Sequence, residues 1–93
     1  LELLAGMAKC YSEEGLFMEA TRVCRAALAN DPCRESFLRA LLENLVNLGR
    51  PDWAEAHYAT WCRSLDEEYG FQPTHETVQV YQRLIGDRAI ENR

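Results

Sequence analysis

From Asp31 to Pro73 the chain sets out a helix start, a helix stop, a second start and a second stop in close succession. Asp31 can cap a helix whose first position is Pro32, because proline lacks the N–H that would find no partner there. Gly49 ends that helix, since glycine tolerates the left-handed conformation of a C-terminal cap. Pro51 restarts the next helix and Gly70 closes it, with Phe71 placed to pack back on the last turn and Pro73 blocking continuation. Punctuation this dense leaves room for an α-hairpin and its exit, and for little else.

The flanks read the same way. Residues 2–14 put Leu3, Leu4, Met7, Ala8 and Tyr11 on one helical face, and Gly15 stops them. Residues 17–30 form a second helix with Ala20, Val23, Cys24, Ala27 and Leu28 inward, stopped by Asn30 and Asp31. The third, from Pro32 to Leu48, carries Phe37, Leu38, Leu41, Leu42, Leu45 and Leu48 in a stripe wide enough for burial against two neighbours. The fourth carries Trp53, Ala54, His57, Tyr58, Trp61, Leu65 and Tyr69 along one side. Thr74 caps a fifth, whose inward face is Val78, Tyr81, Leu84 and Ile85 and whose Glu76 sits near its positive end. After Gly86 the periodicity is lost, so residues 87–93 read as a frayed tail. Strand patterns of useful length do not occur. Short connections make consecutive helices antiparallel.

A shift of 34 residues aligns Leu4 with Leu38, Met7 with Leu41, Tyr11 with Leu45, Gly15 with Gly49 and Ala20 with Ala54. Only the first and the last two of these pairs are identities, but they fall at helix crossings and hairpin turns. That spacing is the tetratricopeptide period, one helix–turn–helix per repeat. Ala8, Tyr11, Gly15, Ala20, Ala27 and Pro32 resemble that repeat's signature; in the second unit Leu42 and Trp61 stand where small residues are usual. The expected fold is all-α: a tetratricopeptide-like right-handed superhelix of two antiparallel hairpins and a C-terminal capping helix, spanning 1–86.

Composition narrows function mainly by exclusion. The net charge is −5, with 10 Lys and Arg against 15 Asp and Glu. Such a surface repels phosphate backbones, so direct nucleic-acid binding by these residues is disfavoured. The apolar runs are too short to span a bilayer. The chain opens on Leu1 with no signal segment, and reads as an excised piece of a larger soluble protein of the cytoplasm. Cys10, Cys24, Cys33 and Cys62 form no C-x-x-C pair, and neither His57 nor His75 lies at ligand spacing from a cysteine, so neither a metal nor another cofactor is expected. The cysteines read as reduced, buried structural thiols. Without a phosphate-binding glycine loop or a Ser/His/Asp arrangement, the chain does not read as an enzyme.

Asp31-Pro32, Arg34-Glu35, Gly49-Arg50, Ala54, Tyr58 and Glu68-Tyr69-Gly70-Phe71-Gln72-Pro73-Thr74-His75-Glu76, ending with Tyr81, together resemble the bacterial transcriptional activator domain. Tyr69, Gln72 and Thr74 depart mildly from the family's usual Leu, Glu and Ser. The resemblance covers essentially the whole chain. It implies a tetratricopeptide-like regulatory module that follows a winged-helix DNA-binding domain in SARP-type activators, and that mediates self-association, including homodimers, or contacts with the transcription machinery. DNA binding would then belong to an upstream domain. The alternative is a general tetratricopeptide scaffold from a signalling ATPase or another multidomain regulator.

Tetratricopeptide hairpins present their first helices to a concave groove. On this register the groove residues are Glu2, Ala5, Lys9 and Ser12, then Ser36, Arg39, Glu43 and Asn47, with Gln79, Gln82 and Arg83 from the last helix. This mixed polar set suits an extended peptide. With Ala5, Ala40 and Glu43 at key places it does not form a basic clamp for a C-terminal carboxylate. Trp53 and Trp61 are candidate aromatic interface anchors, Trp61 being large for its repeat position; otherwise they belong, with Tyr69, to the core. Asp66, Glu67 and Glu68 read as a solvated face partly neutralised by Arg63. His57 reads as a packed histidine with no catalytic partner.

Overall fold

The computed structural model describes residues 2–86, and the tail expected over 87–93 lies outside them. Five helices follow in order: α1 Glu2–Glu13, α2 Phe17–Asn30, α3 Glu35–Asn47, α4 Pro51–Tyr69 and α5 His75–Tyr81. The last runs on into a π-helical turn, Gln82–Gly86, where a continuous α-helix was expected. No strand occurs among the described residues.

The three expected stops act as glycine caps. Gly15, Gly49 and Gly70 all have positive φ. In each, the N–H of the following residue reaches back to a carbonyl of the last turns, five positions for Leu16 to Tyr11 at 2.8 Å and Arg50 to Leu45 at 2.9 Å, and six for Phe71 to Leu65 at 3.3 Å. This pattern satisfies carbonyls that the helix end leaves without partners. Pro51 takes the first turn of α4, as its missing donor predicts.

The expected starts needed correction. Asp31 does not cap α3. Its Oδ1 accepts from the Cys33 N–H at 3.2 Å, closing a local turn, and α3 begins at Glu35. The Pro32 carbonyl is taken by the Trp61 indole N–H at 2.7 Å, a contact that holds the turn against α4. Thr74 precedes α5, but its side chain makes no capping bond. Its backbone N–H and its hydroxyl both donate to Glu35 Oε1, each at 2.9 Å.

The core sits on α3, which packs against α1, α2, α4, α5 and the π-turn. Leu38, Leu41, Leu42 and Leu45 are all but sealed, with Ala20, Cys24 and Ala27 from α2, Ala54, Trp61 and Leu65 from α4, and Ile85 from the π-turn. Alanines at the crossings let the helices approach closely. Tyr58 and Tyr81 stack at 3.9 Å between ring centroids, joining α4 to α5. Several expected core residues lie outside it: Leu3 is 77% exposed, and Met7, Trp53, Tyr69 and Phe71 are exposed too. Tyr69 and Phe71 stack on each other at 6.2 Å at the end of α4. Cys10 and Cys33 are likewise exposed rather than buried; all four thiols are free, and burial pushes Cys24 up to about 11.

Candidate functional site

α1 and α3 lie side by side because α2 connects them, and their facing sides leave an open cleft of about 290 Å³. Ala8, Phe37 and Ala40 supply apolar lining. Ala5, Lys9, Ser12, Ser36 and Glu43 supply the rest. Lys9, Ser12, Ser36 and Glu43 are thus brought together as the register required. The small side chains matter most here, since they keep the cleft from filling.

The remaining groove candidates are held in place by partners. Arg39 donates to Thr77 Oγ1 at 2.9 Å and lies 3.7 Å from Glu76, so it anchors α5 rather than facing the cleft. Arg83 pairs with Glu43 at 3.0 Å and ties the π-turn to α3. That pair is exposed and contributes about 1 kcal/mol or less. Ser12 donates to Asn44 Oδ1 at 2.9 Å. Asn47, Gln79, Glu2 and Gln82 are exposed and do not line this cleft. The groups left to meet a partner are chiefly Lys9 and Ser36.

The two tryptophans separate. Trp53 is 42% exposed and stacks beneath the Arg50 guanidinium at 3.9 Å. Trp61 is only 8% exposed, sealed by α3 and by its bond to Pro32. Trp53 therefore offers a ring to solvent, whereas Trp61 is a core residue and not a protruding anchor. His57 is half-buried on α4 and partial burial, then the charge of Arg25, hold it below the usual imidazole range.

Three residues that matter to this geometry were not among the expected groove residues. Asn44 is buried in the α3 stripe, accepting from Ser12 and donating to the Ala40 carbonyl at 2.8 Å. A lone amide between Leu42 and Leu45 was the available signal. Thr77 is buried and accepts from Arg39, a role invisible without the third dimension. Glu35 joins the starts of α3 and α5. Its partial burial favours the neutral form, but the hydroxyls of Thr77 and Thr74, the Thr74 N–H and the charge of Arg39 outweigh this and hold its carboxyl below the usual range.

The groove, the capping α5 and the glycine turns are general to helical repeats and leave the family open. A family model described as bacterial transcriptional activator domain matches residues 1–85. The chain belongs to that family. No curated protein and no solved structure matches it significantly. The bacterial transcriptional activator domain is a regulatory module rather than an enzyme family, and the all-helical, tetratricopeptide-like architecture agrees with it. Among the described residues no three His, Cys, Asp or Glu side chains gather as metal ligands, and no helix is long and apolar enough to cross a membrane.

Proposed function

We propose that this domain is the protein-interaction module of a cytoplasmic, DNA-binding transcription activator, and that its working surface is the α1–α3 groove. Through that groove the activator contacts a second copy of itself or the transcription machinery. The observation that carries this reading is the open cleft itself: Ala5, Ala8 and Ala40 keep it unfilled while Lys9 and Ser36 offer a charge and a hydroxyl at its edge. Extended segments bind such surfaces with apolar side chains inward and polar groups at the rim. The excess of acidic residues argues for a protein partner and against a phosphate backbone, and leaves DNA to a separate domain.

Filling the groove tests this reading. In the activator that contains this domain, Ala5→Trp combined with Ser36→Arg should abolish reporter activation while circular dichroism and thermal unfolding stay near wild type. The isolated chain should show no sequence-specific retardation of duplex DNA. Tight specific DNA binding by these 93 residues, or full activation with the groove filled, would overturn it.

A further inference from the structure

A second cleft, on the other side of α3, has a different chemical character. At 3.6 residues per turn, Leu38 and Leu41 leave α3 roughly opposite Ser36, Ala40 and Glu43. α2 and α4 both pack on α3, and an opening of about 340 Å³ between them lies over this side, with Leu38 and Leu41 sealed beneath it. Leu28 and Ala29 on α2 and the edge of Trp61 on α4 supply its accessible apolar lining. Arg25 on α2 and His57 on α4 supply its charged and titratable groups, with Thr60 beside them.

The charge balance sets this opening apart. The chain is acidic overall, yet no carboxylate lines this cleft. The α1–α3 groove holds both Lys9 and the Arg83-paired Glu43, and the exposed face of α1 and the turn after it carries Glu2 and Glu14 with no cation. Arg25, like Arg34 and Arg63, forms no ion pair among the described residues, whereas Arg22, Arg39, Arg50 and Arg83 do. The charge of Arg25 is felt at His57, which stays neutral at neutral pH and leaves Arg25 as the fixed cation. An apolar floor with one unpaired guanidinium at its rim is complementary to an apolar side chain next to a carboxylate.

We infer that the α2–α4 cleft is a second docking site, distinct from the α1–α3 groove, and that it takes an acidic–apolar segment of a partner protein: a leucine or aromatic side chain enters against Leu28, Ala29 and the accessible edge of Trp61 while the adjacent carboxylate pairs with Arg25. His57 and Thr60 lie at the edge as hydrogen-bond partners for the segment's backbone. Peptide binding here does not depend on the groove being the activator's working surface.

Trp61 provides the readout, because it lies in the floor of the cleft. In a Trp53→Phe background its emission reports alone. The probe is an acetylated, amidated hexapeptide with two central leucines flanked by glutamate and aspartate. It should shift Trp61 emission saturably, and its glutamine/asparagine counterpart should bind about fivefold more weakly, the scale of one partly shielded ion pair. Arg25→Gln should remove that preference without changing the circular dichroism spectrum. Arg25→Glu should reject the acidic peptide and accept a version with lysines in place of the acids, which distinguishes a charge contact from a general loss of structure. The groove variant Ser36→Arg should bind the acidic peptide as wild type does. No emission change up to the peptide's solubility, equal affinity for acidic and neutral peptides, or indifference to Arg25→Glu would each overturn the proposal.

Discussion

Met7 and Leu41 hold the same register of two helices that the repeat makes equivalent, yet Met7 is 38% exposed and Leu41 only 2%. The same contrast holds along the whole pair: Leu4 and Tyr11 are half-buried, while Leu38 and Leu45 are sealed. Local sequence is not the cause, because both helices are amphipathic and both end at a glycine with positive φ. The cause is the number of neighbours. α1 packs on α2 and α3, whereas α3 is covered by α1, α2, α4, α5 and the π-turn. Helical periodicity selects the face that can be buried, and the stacking of hairpins decides how much of it is.

The largest effect should come from breaking that contrast directly. Leu41→Ala leaves a cavity bounded by several helices and should cost about 3 kcal/mol in urea unfolding. Met7→Ala should cost less than about 1 kcal/mol. Equal losses at the two sites would remove the neighbour-number explanation. A smaller effect is expected from the tryptophans. Trp61→Phe strips the donor from the Pro32 carbonyl and should cost about 1–2 kcal/mol. Trp53→Phe, at the surface, should stay within about 0.5 kcal/mol of wild type.

The smallest effect sharpens the comparison at the capping end. Glu35→Gln weakens the charge-assisted bonds to Thr74 and should cost about 1 kcal/mol at pH 7. The folded-state pKa of Glu35 is lowered, so the unfolded chain binds the proton more readily and stability rises with pH through this group. Its contribution is complete above the unfolded value of about 4.3 and is lost as pH falls through the lower folded value. The stability difference between wild type and Glu35→Gln should therefore shrink on acidification below pH 4. A constant difference across that range would mean that the latch between α3 and α5 does not depend on the Glu35 charge.

Much of the architecture was legible because its signals are local. A glycine that must adopt positive φ, or a proline suited to a first turn, acts within a few residues. Hence the stops at Gly15, Gly49 and Gly70 and the start at Pro51 could be read directly. The start of α3 could not, because the Pro32 carbonyl, which a helix beginning there would offer to the N–H four residues on, is instead taken by the distant Trp61 indole. Part of the groove was legible as well. The repeat register placed Lys9, Ser12, Ser36 and Glu43 together, since residues three and four apart share a helical face. The same register could not show that Arg39 and Arg83 would turn to Thr77 and Glu43, or that Trp61 would be covered while Trp53 was not.

By itself the sequence determined the helices, their stops, the hairpin period and the family pattern, all of which rest on short-range stereochemistry and spacing. Only the tertiary structure decided which apolar face is sealed, which arginines are already paired, and that Arg25 and His57 meet across an apolar opening between α2 and α4. Those outcomes depend on which helices pack side by side, and burial and charge pairing are properties of neighbours in space rather than of neighbours in the chain.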